Sequence, residues 1–553
     1  MVLFLKDYFT IGFIVFWVIV FSKKIFFWTY LWQLKEYHWA RFKSHFSTYN
    51  GKKIFLNFAN FLKIILIILP GILFILSLEP NQEFFIFYLF LIFLVFAIEG
   101  TIFLKNLFRK NIAFPKITAK TLIILFLGFF VLISSLFVSL FSESFFYYLL
   151  LVEFFSPLII SFLVFLSHLI TIFWRRGLIK KASEKRKKFN RLLVVGITGS
   201  YGKSSTKEFL YSILKNHFNV LKTTANQNSE VGISKCILEN LNEKQEVFIC
   251  EMGAYSKGGI RLLSDIAKPK IGILTGINEQ HLSVFGSQEK IIATKYELIE
   301  SLPQEGMAVF NGDNIYCQDL YEKTTGISEK IVFSEIPKNL TTMKFWLWRD
   351  LWAEEIREEK DCLNFKLCSK ETTFDIKTKI IGRHNIVNLL MAVIVAKQLG
   401  MTLEEIVKEI ENLSHELSAI KLKKSKSGLN VVDSSYSANP DGVLADLSYL
   451  KNWSGKKIII MPCLIELGKT APNVHYKIGE KIAEICDLAI ITTKDYFNDL
   501  KRGAENKNKN IKIIHSSDPA KIKKLLTDLD FLSDVILLEG RSQENVKNMI
   551  YNL

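Results

Sequence analysis

Residues 192–206 read LLVVGITGSYGKSST, and this stretch decides the fold. Leu192–Ile197 is a short apolar, β-branched run, the pattern of a buried strand. Glycines follow, then Lys203 with the hydroxyl residues Ser204 and Ser205, and then a helical pattern over Thr206–His217. Strand, glycine loop, lysine, hydroxyl and helix together form the layout of a phosphate-binding loop. Glycine lets backbone N–H groups approach phosphate oxygens, and the helix N-terminus adds partial positive charge. Lys203 suits the β- and γ-phosphates, and Ser204 suits Mg²⁺. The spacing has its own rhythm, because five residues rather than four separate Gly196 from Gly202. Thr198, Gly199, Ser200, Tyr201, Gly202, Lys203, Ser204 and Ser205 are therefore the candidate ATP-binding loop.

Upstream of this loop the chain is of another kind. The whole sequence has 553 residues, half of them hydrophobic, with 46 Phe. Five runs are long enough to span a bilayer, which takes ~20 apolar residues each: Leu3–Ser22, Phe61–Leu78, Phe84–Leu104, Thr121–Phe141 and Phe145–Trp174. The opening run has no basic n-region and no small-residue cleavage site, so it reads as a span and not as a cleavable signal. Glu99 and Glu153 lie inside spans, where a charge is costly; a packing or snorkelling role is expected of Glu99, and both a functional and a structural role stay open for Glu153. Trp28, Tyr30, Trp32, Tyr37 and Trp39 sit among Lys and Arg after the first span and suit the headgroup region.

The net charge of +16 is confined to this half. Residues 1–191 hold 23 Lys/Arg against 8 Asp/Glu, which leaves the remainder almost neutral. The excess follows membrane topology and excludes a nucleic-acid reading. Basic residues fill the loops Ser22–Leu62, Lys105–Lys120 and Arg175–Arg191, while Glu79–Glu83 and Ser142–Ser144 have none. That alternation predicts a cell-membrane protein with its N-terminus outside and everything after Trp174 in the cytoplasm. All seven Cys lie at or after Cys236 without a CxxC pair, as in a reduced domain lacking structural zinc.

Downstream, β-rich runs at Phe218–Leu221, Val247–Cys250, Ile271–Thr275 and Met307–Phe310 alternate with helical stretches. This predicts a parallel sheet covered on both faces. After a break near Leu413–Ser427, a second α/β pattern runs through Leu429–Val432, Lys457–Met461, Leu488–Thr492, Ile511–Ile514 and Val535–Leu538. The expected organisation is a five-helix membrane domain (1–175), a basic linker (176–191), a central ATP-binding domain (192–415) and a C-terminal α/β domain (416–553).

Glu251 ends the Val247–Cys250 run, and His281 follows Ile271–Thr275, both at carboxyl ends of strands where α/β ligands gather. Lys295 comes fourteen residues after His281. The order loop, Glu, His, Lys resembles the Mur ligase family, the ATP-dependent peptide ligases of cell-wall synthesis. Further matching pieces are TTANQNSEVG (223–232), EMGA (251–254), NGDN (311–314), GRHNIVN (382–388), DSSYSANP (433–440) and ELG (466–468). Within the family the nearest branch adds a D-alanyl-D-alanine dipeptide. The resemblance implies a central P-loop ATPase domain and a Rossmann-like C-terminal domain. It implies formation of an acyl phosphate from ATP and a carboxylate, followed by attack of an amine. Lys203 would hold the γ-phosphate; Ser204 and Glu251 would hold one Mg²⁺, and His281 and a carbamylated Lys295 a second. Asn311, Asn385, Asn388 and Asp433 would face ATP. Asn226, Asn228, Tyr436, Asn439 and Arg541 would face a peptidoglycan precursor, UDP- or lipid-linked, and the amino acid or dipeptide joined to it.

Three departures stand out. The membrane block, in contact with membrane lipids, takes the place of the family's soluble UDP-sugar domain. The Gly-Arg pair usual before Asp433 is replaced by SAIKLKKSKSG, with Lys421 as the nearest substitute. Glu539 stands where the family has Lys. Rival readings are a membrane-bound ligase for another polymer such as poly-γ-glutamate, an ATPase component of a transporter or flippase, and an inactive scaffold.

Overall fold

The computed structural model describes residues 2–75, 82–110, 112–142, 144–224, 227–335, 349–418, 420–435, 438–541 and 543–553. The chain forms two compact units, Met1–Arg176 and Gly177–Leu553. Two of the expected site residues, Asn226 and Tyr436, lie outside the described residues, as do Glu79, Pro80, Asn81 and Glu143 of the expected outer loops.

In the first unit, among the described residues, five helical segments are long and apolar enough to cross a membrane: Phe9–Leu34, Tyr49–Leu73, Ile86–Phe108, Ala119–Ser139 and Ser156–Lys187. The first helix, Val2–Leu34, is the hub. Its Phe13, Trp17, Val20, Phe21, Ile25, Trp28, Leu31 and Trp32 recur at three- and four-residue steps and are all buried, so one stripe faces inward. The Trp17 indole donates to the Leu149 carbonyl at 2.8 Å. Helix Ala119–Ser139 turns Thr121, Ile124, Gly128, Leu132, Ser135 and Ser139 inward. Phe126, Phe130, Ile133 and Phe137 point outward and are exposed. The small and polar residues share the inward face with Ile124 and Leu132, while large apolar side chains cover the outward face, an arrangement suited to close packing among apolar helices.

The run expected as one span over Phe145–Trp174 is two helices, Phe145–Phe154 and Ser156–Lys187. Pro157 explains the break. It has no N–H to donate, its ring disfavours helical backbone before it, and it is preorganised for a helix's first turn. The second span is also interrupted, between Tyr49–Phe55 and Phe58–Ile75. There the Asn57 side chain accepts from the Asn60 amide at 2.9 Å and caps the new helix.

Glu99 and Glu153, the two carboxylates within the expected spans, are both paired. Lys63, on the second span, donates to Glu99 at 2.6 Å and to Glu153 at 2.9 Å. Lys23 meets Glu99 at 2.8 Å, and Lys24 meets Glu153 at 2.6 Å. Lys63 and Glu153 are fully buried. The five charges form an alternating chain, Lys23–Glu99–Lys63–Glu153–Lys24.

The second unit holds two sheets. The strands of the first are β1 (Leu193–Thr198), β2 (Val220–Lys222), β3 (Val247–Glu251), β4 (Ile271–Leu274), β5 (Met307–Asn311), β6 (Ser328–Phe333), β7 (Leu351–Glu358), β8 (Leu363–Cys368) and β9 (Thr373–Thr378). Their order is β2-β3-β1-β4-β5-β6-β7-β8-β9. The strands from β2 to β7 in this order run parallel, while β7, β8 and β9 form antiparallel hairpins. The parallel part agrees with the alternating pattern of the sequence. The hairpins were not anticipated, although β8 alternates apolar and polar residues over Leu363, Phe365 and Leu367.

Helices Lys203–Leu214 and Asn385–Gln398 cover one face, and Glu230–Asn240, Gly259–Ala267 and Gln288–Glu300 cover the other. Asn385–Ala396 are buried without exception, because this helix lies under others and is apolar nearly all round. The second sheet is β10 (Lys421–Lys424), β11 (Asn430–Ser434), β12 (Lys457–Met461), β13 (Leu488–Ile491), β14 (Lys512–His515) and β15 (Val535–Glu539). Its order is β10-β11-β15-β12-β13-β14, parallel except for the edge strand β10.

Candidate active site

The loop 199–202 leaves the carboxyl end of β1, next to β3 and β4. Strand order reverses there, so the loops on either side diverge and leave a crevice. Gly199 and Gly202 hold φ of +154° and +77°, backbone that side chains resist. A Cβ on Gly199 would strike the Thr275 hydroxyl, and one on Gly202 would sit 2.5 Å from Asn388 Oδ1. The Ser200 amide donates to the Gly276 carbonyl at 2.7 Å, and the Thr275 hydroxyl donates to the Tyr201 carbonyl, so the loop is pinned to the end of β4. The helix begins at Lys203, three residues before the expected Thr206. Its first amides therefore open at the loop, with no acceptor inside the helix.

Four side chains meet at the next strand end. Ser204 Oγ donates to Glu251 Oε2 at 2.9 Å, and Lys207 reaches the same oxygen at 3.2 Å. Asn228 donates to Glu251 Oε1 at 3.1 Å. Burial pushes the Glu251 carboxyl up, but Lys207, Lys203, Asn228 and Ser204 outweigh it and hold it below the usual range. It is an anion at neutral pH. The Lys203 ammonium lies over the loop and donates to the carbonyls of Gly199 (2.7 Å) and Ser200 (3.2 Å). Burial lowers its pKa and Glu251 opposes this. A carboxylate oxygen beside a hydroxyl is the hard-oxygen set that Mg²⁺ takes, so this corner fits that ion.

His281 follows β4 with φ of +67°. Its Nδ1 lies 2.5 Å from Glu466 Oε2, a carboxylate from the loop after β12. Burial lowers the His281 pKa, against the pull of Glu466. Lys295 is 5% exposed on helix Gln288–Glu300. Burial first and the Lys203 charge second bring it down to about 7. Among lysines such a group is unusual in offering a neutral amine at neutral pH. Asn278, also after β4, donates to Asn439 Oδ1 at 3.2 Å and to Asp441 Oδ2 at 2.9 Å. The two sheets thus meet across the segment 278–281.

Two models of known families match this region. The Mur ligase middle domain matches residues 197–396, and the Mur ligase, glutamate ligase domain, matches residues 420–541. The chain belongs to the Mur ligase family. The UDP-N-acetylmuramoyl-tripeptide–D-alanyl-D-alanine ligase of Bacillus subtilis is 28% identical over 292 residues, 52% of this chain and 60% of that protein. The chain spans about 60% of the length of the curated relatives it matches. MurF ligase from Thermotoga maritima, solved in complex with ADP, is 26% identical, with a TM-score of 0.57 over 68% of this chain and 83% of that one. MurF from Acinetobacter baumannii, 24% identical, shares the fold with a TM-score of 0.60 over 68% and 80%.

Within the Mur ligase domains, the remaining expected residues divide into two sets. Near the loop, Asn311 donates to the Thr275 carbonyl at 2.6 Å, and Asn388 accepts from the Thr206 hydroxyl at 3.3 Å. Asn385 donates to the Ile381 carbonyl at 2.8 Å and accepts from Asn388 at 3.3 Å. The Thr198 hydroxyl is buried against the Met252 carbonyl at 3.0 Å. In the second sheet, Asn439 caps helix Pro440–Tyr449, and Arg541 is exposed.

Asp433 is engaged within its own domain. It accepts from Lys423 at 2.8 Å, from Tyr551 at 2.5 Å and from the Ser435 hydroxyl at 2.5 Å. Burial raises its carboxyl, but these donors hold it well below the usual range. The lysines that reach it are Lys423 and, at 3.4 Å, Lys547; Lys421, expected as the substitute for the family arginine, is exposed. Glu539 is buried, and burial with the neighbouring Asp446 holds its carboxyl well above the usual range. Sequence reasoning missed Lys207, Thr275 and Asn278. Lys207 was within reach of it, four residues along the same helix from Lys203.

Proposed function

We propose that this chain is a membrane-anchored, ATP-dependent ligase of peptidoglycan synthesis. It joins a precursor carboxylate to the amine of D-alanyl-D-alanine or a similar compound. The observation that carries this reading is Lys203, Ser204 and Glu251 together at the phosphate loop, with His281 and Lys295 following, in domains like those of ligases that carry this name.

The chemistry is positioning and charge neutralisation. The loop Thr198–Ser205 receives the triphosphate, and Lys203 exchanges its loop carbonyls for the γ-phosphate. The substrate carboxylate oxygen attacks that phosphorus, its new P–O bond forms, and ADP leaves. The amine nitrogen then attacks the acyl carbon, phosphate departs, and the amine proton passes to solvent or a nearby base. When bound, Mg²⁺ would supply charge neutralisation; Ser204 and Glu251 would hold it, and His281 and a carbamylated Lys295 would hold a second ion. Asn311, Asn385 and Asn388 line the nucleotide side; Asn226, Asn228, Tyr436, Asn439 and Arg541 are assigned to the substrates. Asp433 reaches ATP only by releasing Lys423 and Tyr551.

We assign the chain to the cell membrane, with the N-terminus outside and the ligase domains in the cytoplasm; five helices long and apolar enough to cross and the alternation of basic loops support this reading. The precursor is UDP- or lipid-linked; the membrane unit motivates the lipid-linked form. The test is phosphate release by the full-length protein in lipid, with Mg²⁺, ATP and each precursor, with and without D-alanyl-D-alanine. Release that requires the dipeptide, with a matching mass gain on the precursor, is expected. Release indifferent to every amine would sink the ligase reading.

A further inference from the structure

We infer that the membrane unit contains a binding site for a single anionic lipid headgroup, a phosphate ester on a long hydrocarbon chain. A cavity of about 490 Å³ lies within this unit, a size that holds a headgroup and its first methylenes. Both helix breaks of the unit meet on it. Asn57 and Asn60 line it from the first turn of Phe58–Ile75, and Pro157 and Leu158 from the first turn of Ser156–Lys187. Broken backbone at membrane depth is tolerated where it lines a cavity or is buried in protein. The first turns of two helices also bring their partial positive charge to the same space.

The charge count points the same way. In the chain Lys23–Glu99–Lys63–Glu153–Lys24, each carboxylate is shared by two lysines. Three cations against two anions leave one positive charge over. The middle lysine is fully buried, while the two end lysines line the cavity. Among the described residues, each end lysine has one carboxylate partner, so donors remain for an incoming anion. An uncompensated charge is costly in a low-dielectric setting, and a phosphate between Lys23 and Lys24 would balance the chain. Ser156, between the cavity-lining Phe155 and Pro157, is fully buried, and its hydroxyl has no partner among the described residues. The rest of the lining is Glu99, whose carboxylate is held by Lys23 and Lys63, and apolar side chains, among them Phe27, Trp28, Ile64, Phe154 and Phe155, which suit a hydrocarbon chain.

The inference rests on the membrane reading and not on the ligase reaction. Native mass spectrometry of the full-length protein in detergent tests it, with titrations of phosphatidylglycerol, a polyprenyl phosphate and phosphatidylcholine. One anionic lipid per chain is expected, bound at least about tenfold more tightly than phosphatidylcholine. Two variants, Lys24→Gln and Ile64→Trp, remove a donor and fill the cavity by independent means; each should cost about tenfold in affinity. Their thermal unfolding and resistance to alkaline carbonate extraction establish that the unit is intact. Tighter polyprenyl phosphate would identify a lipid-linked substrate as the source, and tighter phosphatidylglycerol a bilayer lipid; both uphold the site. Phosphatidylcholine binding as tightly as either, or both folded variants binding like the wild type, overturns it. Extraction of the wild-type chain by carbonate would instead remove the membrane reading itself.

Discussion

Glu251 and Glu153 are both buried carboxylates met by lysine, yet they are held differently. Glu251 shares its oxygens between one lysine and the neutral donors Ser204 and Asn228. Glu153 is met, among the described residues, by Lys24 and Lys63. Neutral donors give way to a metal ion at small cost, whereas a buried ion pair is costly to take apart. The first arrangement is made for exchange and the second for permanence.

The comparison breaks first at Lys63. Lys63→Met leaves two carboxylates facing each other, with an expected loss of about 3–5 kcal/mol, read as a lower unfolding temperature of the full chain in detergent. Adding Glu153→Gln to that variant should recover part of the loss. Next comes Glu251→Gln, which keeps the shape and removes the charge. Phosphate release should fall by roughly 10²–10³-fold with the unfolding temperature nearly unchanged. A matching drop in both would show that Glu251 is there for stability.

Lys295 gives a smaller, pH-dependent effect. Its ammonium is the form the fold disfavours, so it loses its proton as pH rises through about 7, against an ordinary value of 10.5. The stability penalty of charging it is full below about 7 and is lifted as pH climbs toward 10.5. Carbamylation needs the neutral amine. Activity should therefore rise several-fold across pH 7 and respond to added bicarbonate, and Lys295→Arg should abolish both responses. The smallest effect belongs to Lys23, which is one-third exposed. Glu99 retains Lys63 in Lys23→Gln, so chemical denaturation should register less than about 1 kcal/mol.

The same contrast governs what the sequence makes readable. Lys203, Ser204 and Glu251 stand out because a loop joins a strand to a helix and fixes them within a few residues, and β3 is an ordinary apolar strand. The Lys63 pairs span 36 and 90 residues, and no local pattern announces them; Lys63 passes as an isolated base in an apolar run. Pro157 was visible, but whether a proline bends a span or divides it depends on the neighbouring packing. The hairpins β7–β9 alternate too briefly to be separated from loop. Asp433 illustrates the remaining gap. Its motif is plain in sequence, while Lys423 and Tyr551, its partners, come from an edge strand and from the last helix, Glu544–Tyr551.

One feature of the ligase unit has a practical side. All seven cysteines are free and buried, and burial raises the thiol pKa of those at 236, 250, 317, 463 and 486. The native chain is thus close to silent toward maleimides, and a single cysteine introduced at an exposed position becomes a unique chemical address. Placed at Ser144 it should label from outside intact cells; placed at Lys43 it should label only once the cells are opened. The orientation of the whole molecule can be written out from such addresses, one at a time, without first stripping the protein of its own sulfur.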